Sequence, residues 1–279
     1  MPKASTRREA ASPYGEWADA VDTLMSYRYL ASRPRFVDRN HAEGLMRLRP
    51  DLRTPAGTAL AAPLSIAMLD VAGINIDRLW VTALTQIDIA VLDGASDVGE
   101  VFLTGQVIRE ARSQIFTEAR IFDAADPDRV VGFGTANWSV IVPTPAGFEY
   151  PAPGIGVEGM AEPPPLWQAY SGQRRPDGLI EIPSLSPAIG TDRLHHGPML
   201  VITETAAREA AAGALGTDLL AVEQLALTIV APGRSGPFVA TPVFVAAHRE
   251  TVGCRVELRD LGHDDRLVAS AFIRLRMTA

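Results

Sequence analysis

Two stretches of the chain, Ala61 to Ala72 and His195 to Ala206, each put one carboxylate, Asp70 and Glu204, in the middle of an apolar run. A helix that is apolar all round is normally buried, so a long central helix is expected from about Pro63 to Leu79 and another from about Pro198 to Ala214. Pro63 and Pro198 suit the first helical turn, where a missing N–H costs nothing. An earlier amphipathic helix is expected from about Glu16 to Leu30, with Trp17, Val21, Leu24, Met25 and Tyr29 near helical spacing; its apolar stripe should cover a sheet edge or a partner surface. Alternating and β-rich runs predict strands at Gly44 to Leu48, Val81 to Leu92, Glu100 to Arg112, Ser113 to Asp123 and Val130 to Val142. A second series follows at Leu179 to Ile182, Leu219 to Val230, Pro237 to His248, Val252 to Leu261 and Leu267 to Met277. The cleanest alternation sets Val252, Cys254, Val256 and Leu258 against Gly253, Arg255, Glu257 and Arg259, the signature of a half-buried strand.

The two series match. One constant offset carries Gly44 to Gly178, Leu45 to Leu179, Leu60 to Leu194 and Asp70 to Glu204, and a slightly larger one carries Ile115 to Val252, Asp123 to Asp260 and Asp128-Arg129 to Asp265-Arg266. Matching elements in matching order indicate one fold present twice. Each copy reads as a strand, a long helix and an antiparallel meander, an α+β layout. The expected organisation is a lead-in over residues 1–43, a first unit over 44–142, a crossover over 143–177 and a second unit over 178–279. Eight prolines between Pro143 and Pro176 exclude regular elements from most of the crossover. Its aromatics, Phe148, Tyr150, Trp167 and Tyr170, point to an ordered strap packed on the surface.

With 47% hydrophobic and 21% charged residues, the composition is that of an ordinary folded protein. A net charge of −7 argues against a nucleic-acid partner. No apolar run approaches the length of a membrane span, and the basic, polar start lacks the apolar region of a signal peptide, so a cytoplasmic location without membrane association is expected. The one cysteine, Cys254, sits in the alternating strand and reads as a small buried hydrophobe. Adjacent His195 and His196, with no cysteine near and no histidine one helical turn away, make a poor metal site, and none is expected. The chain has neither a Gly-x-Ser-x-Gly elbow nor a glycine-rich phosphate loop.

A strand, a loop ending in a His-Gly step, a long helix with an acid nine residues after the histidine, and four antiparallel strands: this arrangement resembles the hotdog-fold acyl-CoA thioesterases of the phenylacetate-pathway and 4-hydroxybenzoyl-CoA type. Here it occurs twice. The family histidine falls on His195, its glycines on His196 and Gly197, and its acid on Glu204; in the first unit the same places hold Ala61, Ala62, Pro63 and Asp70. The Asn or Gln that often precedes the histidine by six residues is replaced by Pro55 and Ile189.

The resemblance implies a double hotdog: two long central helices, each wrapped by an antiparallel sheet, paired as a pseudo-dimer within one chain, with further association of two chains left open. It implies hydrolysis of a small-molecule acyl-CoA to a free acid and coenzyme A, with no cofactor beyond the coenzyme A of the substrate. A helix carboxylate would activate water, and main-chain N–H groups at the facing helix start would hold the oxyanion. Asp70 would face His195 to Gly197, and Glu204 would face Ala61 to Pro63; His196, Gly197 and Ala62 would offer N–H donors, whereas Pro63 has none. Arg208, one turn after Glu204, is a competing ion-pair partner for that acid, so the Asp70 site is expected to dominate.

Gln86 and Gln224, at matching places after the helices, are candidate linings of the acyl pocket, although an exposed strand face explains them equally well. Arg109, Arg112 and Arg249, near the turns between the second and third strands after each helix, are candidate holders of the coenzyme A phosphates. Two other functions fit the same residues: an acyl-thioester binding protein with decayed sites, and a hotdog enoyl-thioester hydratase or dehydratase with His195 or His196 as base.

Overall fold

The computed structural model describes residues 24–32, 34–144, 146 and 163–278. Its first elements are a single helical turn, α1 (Met25–Arg28), and two strands, β1 (Arg35–Phe36) and β2 (His41–Arg47). After a 3-10 turn at Pro50–Leu52 comes α2 (Ala61–Asp77), followed by β3 (Trp80–Val91), β4 (Glu100–Glu110), β5 (Gln114–Asp123) and β6 (Val130–Pro143). A short helix, α3 (Leu166–Ala169), and two short strands, β7 (Gln173–Arg174) and β8 (Ile180–Ile182), lead to α4 (His196–Leu215). The chain closes with β9 (Leu220–Ile229), β10 (Phe238–His248), β11 (Thr251–Asp260) and β12 (Arg266–Met277). Most of the expected helix at Glu16 to Leu30 lies outside the described residues, as do Phe148 and Tyr150 of the crossover.

All twelve strands form one antiparallel sheet in the order β1-β2-β4-β5-β6-β3-β9-β12-β11-β10-β8-β7. The order reads the same from either edge once each strand is replaced by its counterpart in the repeat. The halves join where β3 pairs with β9, from Gln86↔Thr228 to Ala90↔Gln224, centred on Asp88↔Ala226. Pairing the two free edges there removes the unpaired N–H and C=O groups that each half would otherwise expose. β1 and β7, which fall inside the expected lead-in and crossover, extend the outer edges of the sheet.

α2 packs against β2 to β5, α4 against β10 to β12, and the two helices also touch one another. Every residue of α2 from Ala61 to Ile76 is buried; the apolar stretch is a helix enclosed on all sides. In the sheet the period of two decides what faces the helices: Val252, Cys254, Val256 and Leu258 are buried, as their alternation predicts. Burial pushes the Cys254 thiol up to about 11, so it remains a protonated, inert hydrophobe.

Two details set the ends of the helices. α2 begins at Ala61, two residues before the position expected from Pro63, because its first N–H groups find an acceptor elsewhere in the fold. α4 follows a loop that turns at Gly190, where φ is +134° and a Cβ would lie 1.9 Å from the Arg193 carbonyl oxygen; only glycine fits. On the far side of that unit, Asp260 accepts the N–H groups of Arg234, Ser235 and Gly236 at 2.7, 3.0 and 2.9 Å, holding the loop that leads into β10.

Candidate active site

The two acids of the repeat are both buried, Asp70 at 3% and Glu204 at 2% exposure, yet they have different partners. Neither α2 nor α4 has a side-chain cap from its own N-cap residue. For α2 the cap comes from the other helix: Glu204 accepts the N–H of Ala61 at 2.9 Å through Oε1 and that of Ala62 at 2.7 Å through Oε2. Burial raises its pKa, while Arg208 and these two N–H groups pull the other way. With both oxygens accepting from a positive helix end, the geometry is that of an ionised carboxylate. Arg208 makes no ion pair with Glu204 and acts only through its field.

The start of α4 is arranged differently. Among the described residues nothing accepts the N–H groups of His196 and Gly197, the first two of the helix, so this end keeps two free donors. Asp70 does not reach them. It accepts instead from the Ser32 hydroxyl in a short, buried hydrogen bond. Burial pushes the Asp70 carboxyl up from its ordinary 3.8 to about 8; the Ser32 hydroxyl lowers it and the charge of Asp77 adds to the rise. Asp70 is therefore largely a neutral carboxylic acid at pH 7.

Tyr170 is near both groups. It is fully buried, its Cε1 lies 3.3 Å from the position a Cβ would take on Gly197, and its phenol is within electrostatic reach of Asp70. Its hydroxyl donates to the Met25 carbonyl oxygen at 3.2 Å, and its ring meets that of Tyr29 edge-on at 6.0 Å. Ser26 Oγ shares a hydrogen bond of 2.9 Å with His195 Nδ1 and lies so close over Gly197 that a Cβ there would come within 2.0 Å of it. The rings of His195 and His196 lie 3.8 Å apart, tilted by 40°. Burial lowers both imidazoles, His195 to about 4, so both are neutral at physiological pH; the His196 Nε2 is buried without a partner.

The described segment from Leu24 to Ser32 thus roofs the Asp70 site. Of the sequence candidates, the fold brings Glu204 to Ala62, and Asp70 to the neighbourhood of Gly197 through Tyr170. It does not bring Gln86 or Gln224 to either site. Ile87, Ile89, Leu225 and Leu227 take the inward positions of β3 and β9, so alternation turns both glutamines to the opposite face. There Gln224 donates to Asp88 at 3.0 Å, and Gln86 accepts weakly from Asn137 at 3.5 Å. Arg109 and Arg112 on the β4–β5 hairpin and Arg249 at the β10–β11 turn are exposed, with no partner among the described residues.

Ser26 and Ser32 carry no mark in the sequence that would connect them to a site more than thirty residues away. Tyr170 carried a weak one, as an aromatic in a stretch too rich in aromatics for a bare tether. No group of three or more His, Cys, Asp or Glu that could hold a metal is assembled among the described residues, and no described helix is long and apolar enough to cross a membrane.

No family model and no curated protein matches the sequence. Solved structures match along nearly the whole chain. A tesB protein of Mycobacterium avium subsp. paratuberculosis superimposes with a TM-score of 0.59 at 14% identity, over 96% of this chain and all of that one. A hot dog fold protein from Alicyclobacillus acidocaldarius gives 0.58 at 13% identity, over 92% and 99%. The fold is a hotdog. An acyl-CoA thioesterase II, TesB2, from Mycobacterium marinum gives 0.55 at 13% identity, over 91% and 98%, so the resemblance to hotdog thioesterases extends across both halves of the sheet.

Proposed function

We propose that this chain is an acyl-CoA thioesterase built as two hotdog units, residues 44–142 and 178–279, paired as a pseudo-dimer, with its working site around Tyr170, which adjoins both Asp70 of the first unit and the start of α4 in the second. The observation that carries this reading is the contrast between the two helix starts. At α2 both leading N–H groups are filled by Glu204; at α4 the N–H of His195, the counterpart of Ala61, donates to the Ile189 carbonyl oxygen, and those of His196 and Gly197 are left free among the described residues. A thioester carbonyl placed there would find donors for its developing charge.

In the ionised form, Asp70 takes a proton from water as the water oxygen attacks the carbonyl carbon. The carbonyl electrons pass to the oxygen, held by the N–H groups of His196 and Gly197. Collapse of the tetrahedral intermediate breaks the C–S bond, and the departing thiolate takes the proton back from Asp70, leaving a free acid and coenzyme A. The neutral His195 and His196 add no positive charge to the site. Glu204 would be a structural cap and its site silent. The substrate would be a cytoplasmic acyl-CoA, its phosphates reaching exposed arginines such as Arg109, Arg112 or Arg249.

The test is thiol release from a panel of acyl-CoAs. Asp70→Asn should lower the rate at least a hundredfold, on the order of the 2.7–4 kcal/mol that one catalytic electrostatic group supplies, whereas Glu204→Gln should leave it within a few-fold. Because the ionised carboxyl is the working form, log kcat should rise by about one per pH unit below pH 8 and level off above it. One observation favours a second reading, binding of an acyl thioester without turnover: the roof over Asp70. Tight binding with no thiol released at any pH would establish that reading and remove the first.

A further inference from the structure

We propose that His41 is a proton-operated latch that fastens the turn between β1 and β2 to the sheet, closed while its imidazole is charged and loosened when it is neutral. The latch lies outside both helix starts and does not depend on the reaction they serve.

The geometry follows from what each neighbour of the ring can do. His41 Nδ1 lies 2.9 and 2.8 Å from the two carboxylate oxygens of Asp38, and Nε2 lies 3.0 Å from Gln106 Oε1. Both partners are acceptors, so both ring nitrogens must carry a proton, and a neutral imidazole has only one to give. Neither acceptor is free to change its role. Asp38 accepts the N–H groups of Asn40 at 2.7 Å and His41 at 2.9 Å, and its own turn together with the imidazole holds it below the usual carboxylate range. The Gln106 amide could offer its NH2 to a neutral ring by turning over. That NH2, however, donates to Glu118 Oε1 at 2.5 Å, and the flip would set oxygen against carboxylate. His41, Gln106 and Glu118 stand in one row across β2, β4 and β5, so the register of the sheet fixes the chain of contacts.

Charges farther from the ring do not decide its state. The acids around it, Asp38, Glu43 and Glu118, are matched by Arg35, Arg39 and Arg120; Arg35 pairs with Glu43, and Arg120 lies 3.7 Å from Glu118. The direct contacts set the direction: the Asp38 carboxylate, with Gln106 assisting, holds the imidazole above its ordinary 6.5. A folded value above that of the unfolded chain gives stability that is present at low pH and lost as pH rises through it.

What the latch holds is the backbone of the turn. The His41 carbonyl oxygen accepts the N–H groups of Val37 at 3.0 Å and Asp38 at 3.2 Å, and the Asn40 carbonyl oxygen accepts the Val107 N–H at 3.0 Å. Before the turn, the Phe36 ring lies 4.7 Å from the Arg78 guanidinium at the end of α2. Ser32, a few residues earlier, bonds Asp70. The lead-in is thus tied at Asp70 by a hydroxyl and at the sheet by a charged ring.

Two measurements on the full chain test the latch. Imidazole NMR, with His41 assigned from His41→Asn, should show His41 titrating above 6.5. Glu118→Gln should move that titration down, and should no longer do so in a Gln106→Ala background, because Glu118 acts through the amide. Hydrogen exchange, corrected for the intrinsic rate at each pH, follows the Val107 N–H against the Ala124 N–H, which donates to Glu100 at the opposite end of β4. Between pH 5.5 and pH 8.5 the protection of Val107 should fall about threefold relative to Ala124, the scale of one exposed charged contact, and in His41→Asn this relative fall should vanish. A His41 titration at 6.5 or below, or an equal effect of Glu118→Gln with and without the Gln106 amide, would overturn the chain of contacts. No relative fall at Val107, or the same fall in His41→Asn, would overturn the latch itself.

Discussion

Replacing Asp70 by asparagine should stabilise the protein, and by an amount that grows with pH. In the folded chain the carboxyl holds its proton up to about pH 8, against 3.8 for an ordinary aspartate. Between those values the unfolded chain has released a proton that the folded chain keeps, so stability falls as pH rises, by about 1.4 kcal/mol per unit. Below pH 3.8 the cost is absent, and above pH 8 it is complete. Asparagine has nearly the same shape, can accept from the Ser32 hydroxyl, and has no proton to lose. His195 and His196 have lowered values and impose the opposite slope as pH drops below 6.5, but both proteins share it, so the difference between them isolates the carboxyl. Denaturant melts at pH 4.5 and pH 7.5 should show the advantage of Asp70→Asn increasing by roughly 2–4 kcal/mol, equivalent to about 5 °C or more in Tm for a chain of this size. Parallel stability curves for the two proteins would refute the reasoning, because they would mean that Asp70 is already ionised in the fold.

Glu204→Gln should act in the opposite direction: its amide sets an NH2 against one of the two N–H groups at the start of α2, and the loss, about 1–3 kcal/mol, should appear in chemical denaturation. Gly190→Ala, with its Cβ driven into the Arg193 carbonyl, should cost about 2 kcal/mol or more, and hydrogen exchange should locate the loosening in the loop before α4.

The fold was legible where a single residue's choice is settled by its neighbours in the chain. Period-two alternation located β5 and β11, and the apolar runs located α2 and α4 to within two residues, because burial on one face or on all faces leaves a direct trace in the order of residue types. The start of α2 was misplaced because Pro63 is a local signal, while the groups that extend the helix to Ala61 are the oxygens of Glu204, far along the chain. Gln86 and Gln224 were legible as a matched pair but not as to face; a one-residue change of phase reverses a strand, and a bulge between Leu84 and Gln86 lies in β3. At the site, Asp70 and Glu204 stood out because a carboxylate in an apolar run demands an explanation. Ser32, which bonds Asp70, and Ser26, which bonds His195, did not stand out, and Tyr170 did so only weakly, since each is brought there by tertiary packing.

The junction of β3 with β9 has a genetic consequence. In an assembly of two identical chains every substitution appears at both sites at once, so an acid that improves one helix start must be tolerated at the other. Here the halves are encoded separately and held by five residue pairs from Gln86↔Thr228 to Ala90↔Gln224. A longer acid could thus be selected on one side to brace a helix, while the shorter one opposite remained free of that duty, and neither change had to be inherited twice.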